Sequence, residues 1–339
     1  MYSVDIVVPC YNYAHLLNGC IESVISQRDV QVRVLILNDA SPDNSDEVGQ
    51  ALAAANSCVS YLKNDENLGL IATANRGLLE WAEAEYTLLL SADDLLMPGA
   101  LSRACKVMQE HQDVHMVYGL SRLIRDDFDP NQITDPDDGL EYRILSGREF
   151  LKRNFTHINP VPSPTAILRT RVQKSLGGYL PQFPHTSDME MWMRFAAQGP
   201  IGVIRNVQAC YRIHAASMSA PKLVRALSDR QECLETCEFV VKTWCAEIPE
   251  AQTWLNAMRR KMSKDAYWLA TQPHFRDDQK QACADFAKRN DTAGPLSFPR
   301  LKFELKKGLS WLIPPKQVEK PIGHGVFESD TYGWWPEAN

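Results

Sequence analysis

Two aspartates close the stretch Leu88-Leu89-Leu90-Ser91-Ala92-Asp93-Asp94. The leucines indicate a buried β-strand, and acids directly after such a strand lie half-buried, where an uncompensated carboxylate is unfavourable. A divalent cation compensates it, and Mg²⁺ or Mn²⁺ is commonly bound by one or two carboxylates together with substrate phosphates. A simpler alternative is that Asp94 caps the next helix or that both acids face water. The stretch predicts a strand that ends at a metal site.

Four other segments also place polar or acidic residues at the border of apolar ones. They are Val7-Val8-Pro9-Cys10-Tyr11-Asn12, Leu35-Ile36-Leu37-Asn38-Asp39, Ser187-Asp188-Met189-Glu190-Met191-Trp192 and Tyr211-Arg212-Ile213-His214. Ligands of α/β sheets bind beyond the carboxyl ends of the strands, so these ends are expected to converge on one crevice. Tyr11 would offer a face on which a base can stack, and Asp39 could accept hydrogen bonds from a base or a ribose.

Strands and helices alternate regularly over residues 1–118. Apolar, β-branched runs predict strands at 4–9, 32–37, 59–63, 86–90 and 114–118, and amphipathic spacing predicts helices at 14–26, 43–55, 70–84 and 98–111. Nearly continuous apolar strands separated by helices are typical of a parallel sheet covered on both faces. The fold class is therefore α/β, with a mostly parallel central sheet.

The rest of the chain divides near residue 220. An Asp-, Pro- and Gly-rich segment at 122–145 predicts an acidic surface loop, followed by a helix at 147–154, a strand at 165–169, a helix at 188–198 and strand material at 201–212. Helices are expected at 222–244, 250–269 and 276–289, before an irregular tail. We predict a domain over 1–220, with a nucleotide-binding half (1–118) and an acceptor-side half (119–220), and a mainly helical region over 221–339.

Composition excludes several classes of protein. The 339 residues carry a net charge of −6, which gives no support for a nucleic-acid binder, and include nine cysteines without a C-x-x-C pair, as in a reduced cytoplasmic chain. The sequence has no run of 18 apolar residues that would predict a membrane span. It also has no Gly-rich loop of the kind that would predict an NAD site or a P-loop. A basic amphipathic stretch at 302–313 either packs internally, touches a membrane surface as a peripheral contact, or forms a homodimer.

The order of six motifs resembles family 2 glycosyltransferases of the GT-A fold, the nucleotide-diphospho-sugar transferase fold, as found in bacterial polysaccharide synthesis. The motifs are Val8-Pro9-Cys10-Tyr11-Asn12, Asn38-Asp39-Ala40-Ser41-Pro42-Asp43, Asn67-Leu68-Gly69 with Asn75, Ser91-Ala92-Asp93-Asp94, Ser187-Asp188 before Met191-Trp192-Met193-Arg194, and Tyr211-Arg212-Ile213-His214. The likeness covers residues 3–219; the last 120 residues resemble nothing recognisable and are expected to form a helical extension.

The resemblance implies a role for each matching position. Tyr11 and Asp39 would hold the nucleotide base, with Pro9, Asn12, Asn67 and Ala92 as further nucleotide-binding positions. Asp93 would bind Mn²⁺ or Mg²⁺, and Asp188 would be the catalytic base. The residues expected in the vicinity of the diphosphate or metal are Ser91, Asp94, Arg212 and His214.

Two positions depart from the family's pattern. Ser91 and Asn38 stand where the family often has the first aspartate of its D-x-D and D-D motifs, so metal affinity could be weaker here. Glu190, two residues beyond Asp188, is a rival base. Trp192 and Arg194 are interpreted as core and salt-bridge residues.

The resemblance implies an inverting, metal-dependent glycosyltransferase of the hexosyltransferase type. Its partners would be a nucleoside-diphosphate sugar donor, UDP-sugars before dTDP- or GDP-sugars, and a carbohydrate or lipid-linked acceptor. Surface polysaccharide or O-antigen assembly would be its setting, in the cytoplasm or at the inner face of the membrane. Two alternatives stay open: a non-catalytic nucleotide- or carbohydrate-binding scaffold, and a sugar-1-phosphate nucleotidyltransferase, which would need a Gly-rich, Arg-containing N-terminal loop.

Overall fold

The computed structural model describes residues 1–134, 139–157, 159–214, 226–294, 297–308 and 330–336. The chain forms two compact units. The first comprises Met1–Leu151, Asn159–Ser217 and Phe327–Asn339, and the second comprises Lys152–Ile158 and Met218–Val326. The polypeptide therefore leaves the first unit, builds most of the second, and returns to the first at its C-terminal end.

A mixed sheet organises the first unit. Its strands in the described part of the chain are β1 (Tyr2–Cys10), β2 (Val30–Asn38), β3 (Val59–Lys63), β4 (Tyr86–Leu89), β5 (Leu95–Leu96), β6 (Met116–Ile124), β7 (Tyr142–Leu145), β8 (Ile167–Arg169), β9 (Ile201–Arg212) and β10 (Thr331–Tyr332). They lie in the order β3-β2-β1-β4-β8-β6-β9-β5, with β7 paired to β9 and β10 to β6. The first four strands run parallel, β8 runs antiparallel to β4 and β6, and β9 is parallel to β6.

Seven α-helices of the described residues begin in the first unit. They are α1 (Ala14–Ile25), α2 (Ser45–Ala55), α3 (Leu70–Asn75), α4 (Ala100–Glu110), α5 (Gly147–His157), α6 (Thr170–Leu176) and α7 (Ser187–Gln198); α3 continues as a π-helical segment, Arg76–Trp81. Residues at helical spacing on α1, such as Leu17, Ile21 and Val24, are fully buried in one cluster with Ile6 and Val8 of β1. Burial of these side chains is the main favourable contribution to the fold.

The second unit is helical. Its described helices are α8 (Ala226–Thr243), α9 (Ala251–Leu269), α10 (Asp277–Asn290) and α11 (Phe298–Gly308). α9 contacts the other three, and Met258, Met262 and Ala266 along it are completely buried. None of the helices in the described ranges combines the length and the apolar character needed to span a bilayer.

The predicted α/β class is confirmed, and the sheet is mixed: β3-β2-β1-β4 and β6-β9 are parallel, and the other pairings are antiparallel. The structure also corrects two segments. The stretch 122–145 is not simply a loop, because β6 continues to Ile124 and β7 begins at Tyr142. Residues 135–138, three of which are aspartates, lie outside the described ones. The C-terminal tail is not wholly irregular, because β10 joins the sheet. Of the basic stretch 302–313, residues 309–313 are not described, while Phe303 is buried and lies 5.2 Å, centroid to centroid, from Tyr267.

Candidate active site

The candidate site lies where several strands end at one edge of the sheet. Because β2, β1 and β4 are parallel neighbours, Asp39 after β2 and Asp93 after β4 lie at the same edge. β8 runs antiparallel to β4, with Ile167 opposite Leu88, so the residues just before β8 also reach that edge. Ser163 is one of them, and its hydroxyl donates to Asp188. The strand directions therefore gather three predicted site carboxylates at one edge.

Asp39 is almost fully buried and is held by its own chain. One carboxylate oxygen accepts hydrogen bonds from the Asn64 amide (2.8 Å) and the Leu68 N–H (2.9 Å), and the other accepts from the Gly69 N–H (2.9 Å). Burial alone would raise the pKa of Asp39, but these hydrogen bonds outweigh it, so the pKa lies below the ordinary aspartate value. A fourth hydrogen bond, from the Thr73 side chain, also favours the charged form, so the chain itself supplies about as many donors as a carboxylate can accept.

Asn38 is an amide where the motif often has an acid, and it takes part in a series of hydrogen bonds that runs from Ser41 to Asp46. Its side-chain oxygen accepts the Ser41 N–H (2.8 Å), and its amide donates to the Tyr61 hydroxyl (2.9 Å). That hydroxyl donates to Asp46 (2.7 Å). Since the Tyr61 proton is used on Asp46, residue 38 must be a donor, which an ionised aspartate is not. The departure from the family's D-D motif therefore has a local structural reason.

The turn after β1 has an unusual backbone. Asn12 has a φ of 65° and Ala40, after β2, a φ of 53°, a region that non-glycine residues seldom adopt. The Ser41 hydroxyl joins the two turns, because it accepts the Asn12 N–H (3.1 Å) and donates to the Cys10 carbonyl (3.3 Å). Backbone conformations of this kind cluster at ligand-binding sites.

The remaining nucleotide-site predictions differ in exposure. Tyr11 is 44% exposed, which leaves its ring available for stacking. The side-chain oxygen of Asn67 accepts the Gly69 N–H (3.0 Å) and so shapes the loop that holds Asp39. Pro9 and Ala92 are buried. The nucleotide-binding roles of these residues stay predictions.

Asp93 faces His214 and Tyr13. The Asp93 Oδ2 lies 3.1 Å from the His214 Nε2, which in turn lies 3.0 Å from the Tyr13 hydroxyl. The Asp93 and His214 side chains are each 10% exposed. Burial and the charges of Asp93 and Asp94 raise the pKa of Tyr13, so its hydroxyl stays protonated at neutral pH. These contacts place a carboxylate, an imidazole and a phenol together.

This pair of donors fits a divalent cation that binds together with a phosphate ligand. Asp93 and His214 offer a carboxylate oxygen and a ring nitrogen. In the ranges that the structure describes, no three His, Cys, Asp or Glu side chains form a metal-binding group. A fully protein-built cage is thus not seen there, whereas Mg²⁺ commonly uses one or two side chains and completes its shell with substrate phosphates and water.

Asp94 and Arg212 brace this corner. The Asp94 carboxylate accepts the Arg212 backbone N–H (2.8 Å), while the Arg212 guanidinium donates to the carbonyls of Asp93 (2.9 Å) and Arg125 (2.6 Å). Burial and the neighbouring Asp93 charge raise the pKa of Asp94 well above its ordinary value. Asp94 does not cap α4, because the N-cap position is occupied by Gly99. Ser91 is half-buried beside them, and its carbonyl lies 3.6 Å from the Cys20 thiol.

Asp188 opens α7 and is fixed from three directions. One carboxylate oxygen accepts hydrogen bonds from the Asn159 amide and the Ser163 hydroxyl, both at 2.9 Å, and the other accepts the Met189 N–H (2.6 Å). A position in the first turn of a helix favours the ionised form of a carboxylate, but burial outweighs this effect and the hydrogen bonds and raises the pKa of Asp188. A raised pKa makes an ionised aspartate a stronger base.

Glu190, the rival base, is paired inside the core. It is completely buried, and its carboxylate forms an ion pair with Arg194 one helical turn later. Arg194 also donates to the carbonyls of Leu176 (2.7 Å) and Gly178 (3.0 Å). The interpretation of Arg194 and Trp192 as salt-bridge and core residues is confirmed. Because Glu190 is buried and paired with Arg194, Asp188 is the better-placed base.

Three residues of this site were not predicted from the sequence: Tyr13, Asn159 and Ser163. Tyr13 stands two positions after Tyr11 and is the N-cap residue of α1. Asn159 and Ser163 belong to a Pro-rich stretch that carries no motif. Only the pairing of β8 with β4 brings them to Asp188.

Comparisons with known proteins agree with this architecture. The chain is 25% identical over 222 residues, 65% of its length, to a hyaluronan synthase of Pasteurella multocida, and 32% identical over 124 residues, 37% of its length, to a chondroitin synthase of the same species. It spans only 21% and 13% of those two proteins.

Two solved structures share the fold. S. aureus TarS in complex with UDP has a TM-score of 0.53 at 14% identity, covering 91% of this chain and 92% of that one. The mannosyltransferase PcManGT of Pyrobaculum calidifontis, in complex with GDP-Man and Mn²⁺, has a TM-score of 0.54 at 15% identity, covering 92% and 81%. At this identity they show the GT-A fold alone.

The family model described as Glycosyl transferase family 2 matches residues 5–174, half of the chain. That range contains the Asp39 and Asp93 ends of the parallel strands and the Asn159–Ser163 stretch that holds Asp188. The resemblance inferred from the six motifs is confirmed: the chain belongs to glycosyl transferase family 2.

Proposed function

We propose that this chain is a metal-dependent, inverting glycosyltransferase that moves a sugar from a nucleoside-diphosphate donor to a hydroxyl acceptor. The observation that carries the proposal is the set of hydrogen bonds on Asp188. Asn159 and Ser163 both donate to one of its oxygens, which fixes a carboxylate at the edge where Asp39 and Asp93 also lie. A fixed base opposite a diphosphate site is what single displacement at a sugar carbon requires.

Asp188 would accept the proton of the acceptor hydroxyl as that oxygen forms its bond to the anomeric carbon. The bond between this carbon and the diphosphate oxygen breaks on the opposite face, so the anomeric configuration inverts. The raised pKa of Asp188 strengthens it as a base once it is ionised. Hydrogen bonds from Asn159 and Ser163 keep the accepting oxygen in place.

Mn²⁺ or Mg²⁺, when bound, supplies positive charge that stabilises the departing diphosphate. Asp93 and His214 would hold it, since a carboxylate oxygen and an imidazole nitrogen face each other there. The Tyr13 ring packs edge-on against the His214 ring, 5.6 Å between centroids, and would orient the imidazole by this contact. Arg212 braces the backbone of Asp93 and places a guanidinium charge nearby.

UDP-sugars are the proposed donors, because Tyr11 offers an exposed ring on which uracil can stack and the negative charge of Asp39 favours a base N–H beside it. The named relatives synthesise hyaluronan and chondroitin, which supports a carbohydrate or lipid-linked acceptor in surface polysaccharide assembly. All nine cysteines are unpaired, which suits a reduced cytoplasmic setting, including one peripheral to the inner membrane face.

Release of nucleoside diphosphate tests the proposal. The protein is incubated with UDP-glucose, UDP-N-acetylglucosamine or GDP-mannose, with Mn²⁺ or with a chelator. We expect metal-dependent release, lowered by about 10²- to 10⁴-fold in Asp188→Asn, the usual contribution of a general base. Asp277→Asn is the matched control, because Asp277 is a fully exposed acid of the second unit.

Two outcomes would contradict the proposal. UDP binding without release from any donor, with a range of oligosaccharide acceptors present, would favour the binding scaffold. An Asp188→Asn variant that turns over as fast as Asp277→Asn would remove Asp188 from the reaction.

A further inference from the structure

The C-terminal end of the chain returns to the sheet beside the predicted base. Residues 330–336, here called the C-terminal clasp, include β10, which pairs antiparallel with β6 at Ser121 and Arg122. β8 pairs with β6 only at Met116 and Val117, so β6 is open on that side farther along. The clasp thus covers an edge whose backbone groups would otherwise be unpaired.

Three hydrogen bonds from β6 fasten the clasp. The Leu123 N–H donates to the Asp330 carbonyl (2.8 Å), the Ser121 hydroxyl to the Tyr332 carbonyl (3.3 Å), and the Tyr118 hydroxyl to the Trp334 carbonyl (3.2 Å). Tyr118 and Ser121 are both fully buried. The clasp is therefore attached to a rigid strand of the sheet.

On its other side the clasp holds the stretch that contacts Asp188. The Tyr332 hydroxyl donates to the Asn159 carbonyl (3.2 Å), and the Trp334 N–H donates to the Pro160 carbonyl (3.1 Å). Asn159 is the residue whose side-chain amide donates to Asp188 (2.9 Å). Two fixed carbonyls thus set the position of one of the two side chains that hold the predicted base.

Gly333 lets the clasp approach this closely. Its φ is +123°, and a Cβ at this position would lie 3.0 Å from Leu120 and 3.2 Å from Pro162. Any side chain here would both strain the backbone and press against the 159–163 stretch. The absence of a side chain at Gly333 therefore lets the clasp backbone lie close to the 159–163 stretch, so that Tyr332 and Trp334 on either side can both contact it.

We propose that the C-terminal clasp is a positioning element for catalysis: it holds Asn159 and Pro160 so that the Asp188 carboxylate points at the acceptor hydroxyl. The inference rests on the proposed function, in which Asp188 is the base. Tyr332 acts through Asn159 and touches no reacting atom. Because small misplacements of a reacting group lower rates strongly, loosening the clasp lowers kcat while leaving donor binding unchanged.

Tyr332→Phe in the full chain is the primary test. It removes the hydroxyl that donates to Asn159 and keeps the ring beside Tyr211 (6.2 Å between centroids). Tyr142→Phe is the matched control, since that hydroxyl donates to Glu110 (2.9 Å) instead. We expect Tyr332→Phe to lower kcat for donor turnover about three- to tenfold, with unchanged donor KM and UDP affinity, and Tyr142→Phe to match the unmodified protein.

A double-mutant cycle separates positioning from a general structural effect. In an Asp188→Asn background, the residual turnover should be insensitive to Tyr332→Phe, because the group that the clasp positions is gone. Gly333→Ala should reproduce the kcat loss with unchanged UDP affinity, which also shows that the variant is folded.

The outcomes distinguish the two proposals. If Asp188→Asn abolishes turnover but Tyr332→Phe and Gly333→Ala match Tyr142→Phe, the clasp proposal alone is wrong. An equal loss from Tyr332→Phe with and without Asp188 would also overturn it. If Asp188→Asn turns over normally, the proposed function fails and the clasp has no base to position.

Discussion

Asn38 shows how one amide can replace an acid for a local reason. It must donate to the Tyr61 hydroxyl, whose own proton is committed to Asp46. We expect Asn38→Asp to destabilise the protein by about 1 to 3 kcal/mol, because it sets a carboxylate against an oxygen that has no proton to offer. Urea denaturation at pH 7 measures this. Asn38→Asp with Tyr61→Phe should recover part of the loss, and equal stability of Asn38→Asp and the unmodified protein would contradict the hydrogen-bond assignment.

Asp188 makes the rate depend on pH in a predictable direction. Because the pKa of Asp188 is raised, kcat should begin to fall on acidification at a pH above the ordinary aspartate pKa of about 4. The Ser163 hydroxyl stabilises the charged form; without it the pKa rises further. We therefore expect Ser163→Ala to move the acid limb of the kcat profile to higher pH. A limb that stays in place, or moves down, would contradict the role of Asp188 or of its hydrogen bond.

Residues that directly follow a strand were recognisable from the sequence. Asp39 and Asp93 each end an apolar run, and parallel strands end at a common edge, so pattern alone indicated their grouping. Asn159 and Ser163 were missed because nothing local marks them; they reach Asp188 only through strand pairing. Hydrogen-bond partners distant in sequence are set by tertiary structure, which periodicity does not encode.

The loop after β3 depends on Asp39. Two backbone N–H groups and the Asn64 amide converge on its carboxylate. Because the pKa is lowered, the stabilisation is present above the ordinary aspartate pKa and is lost as the pH falls through the lowered value.

Asp39→Asn should therefore lower the free energy of unfolding by about 2 kcal/mol at neutral pH, because the new amide group faces N–H donors. The loss should be smaller at acidic pH. Chemical denaturation at pH 7 and at pH 3 measures both. A penalty that is constant with pH would contradict the charge-based explanation, and Asp65→Asn, an exposed neighbouring acid, serves as control.

Long elements with a clear period could be predicted and short ones could not. β1 to β4 and α7 were expected close to their observed bounds, because buried strands read as apolar runs and α7 repeats its apolar face. β5 and β10 have two residues each, too few to show a period. Their places are set by the edges of β9 and β6, with which they pair.

The path of the chain through two units explains why the tail could not be assigned from the sequence. Over a hundred residues separate the end of β9 at Arg212 from the start of β10 at Thr331, yet both strands belong to the first unit. Contacts across so long an intervening segment leave no local pattern. The motifs identified the family and the α/β core, whereas the link between the C-terminal end and the 159–163 stretch required the structure.

Ligand-dependent stability should report the joint site for metal and nucleotide. Asp93 and His214 alone give a cation only two side-chain donors, so Mn²⁺ and UDP should each bind weakly and together bind tightly. At 100 times Kd, a ligand stabilises the folded state by about 2.7 kcal/mol. We expect a thermal shift with Mn²⁺ and UDP combined that exceeds the sum of the separate shifts, and its loss in His214→Ala. Additive shifts would contradict a shared site.

A crystal structure with UDP and Mn²⁺ tests the central claim most directly, namely that residues 39, 93 and 188 surround one metal-bridged diphosphate. We predict the uracil beside Asp39 and Tyr11, the cation coordinated by Asp93 and by the diphosphate, and Asp188 across an open space that can hold a sugar. A nucleotide bound elsewhere, or a cation that Asp93 does not coordinate, would contradict the account.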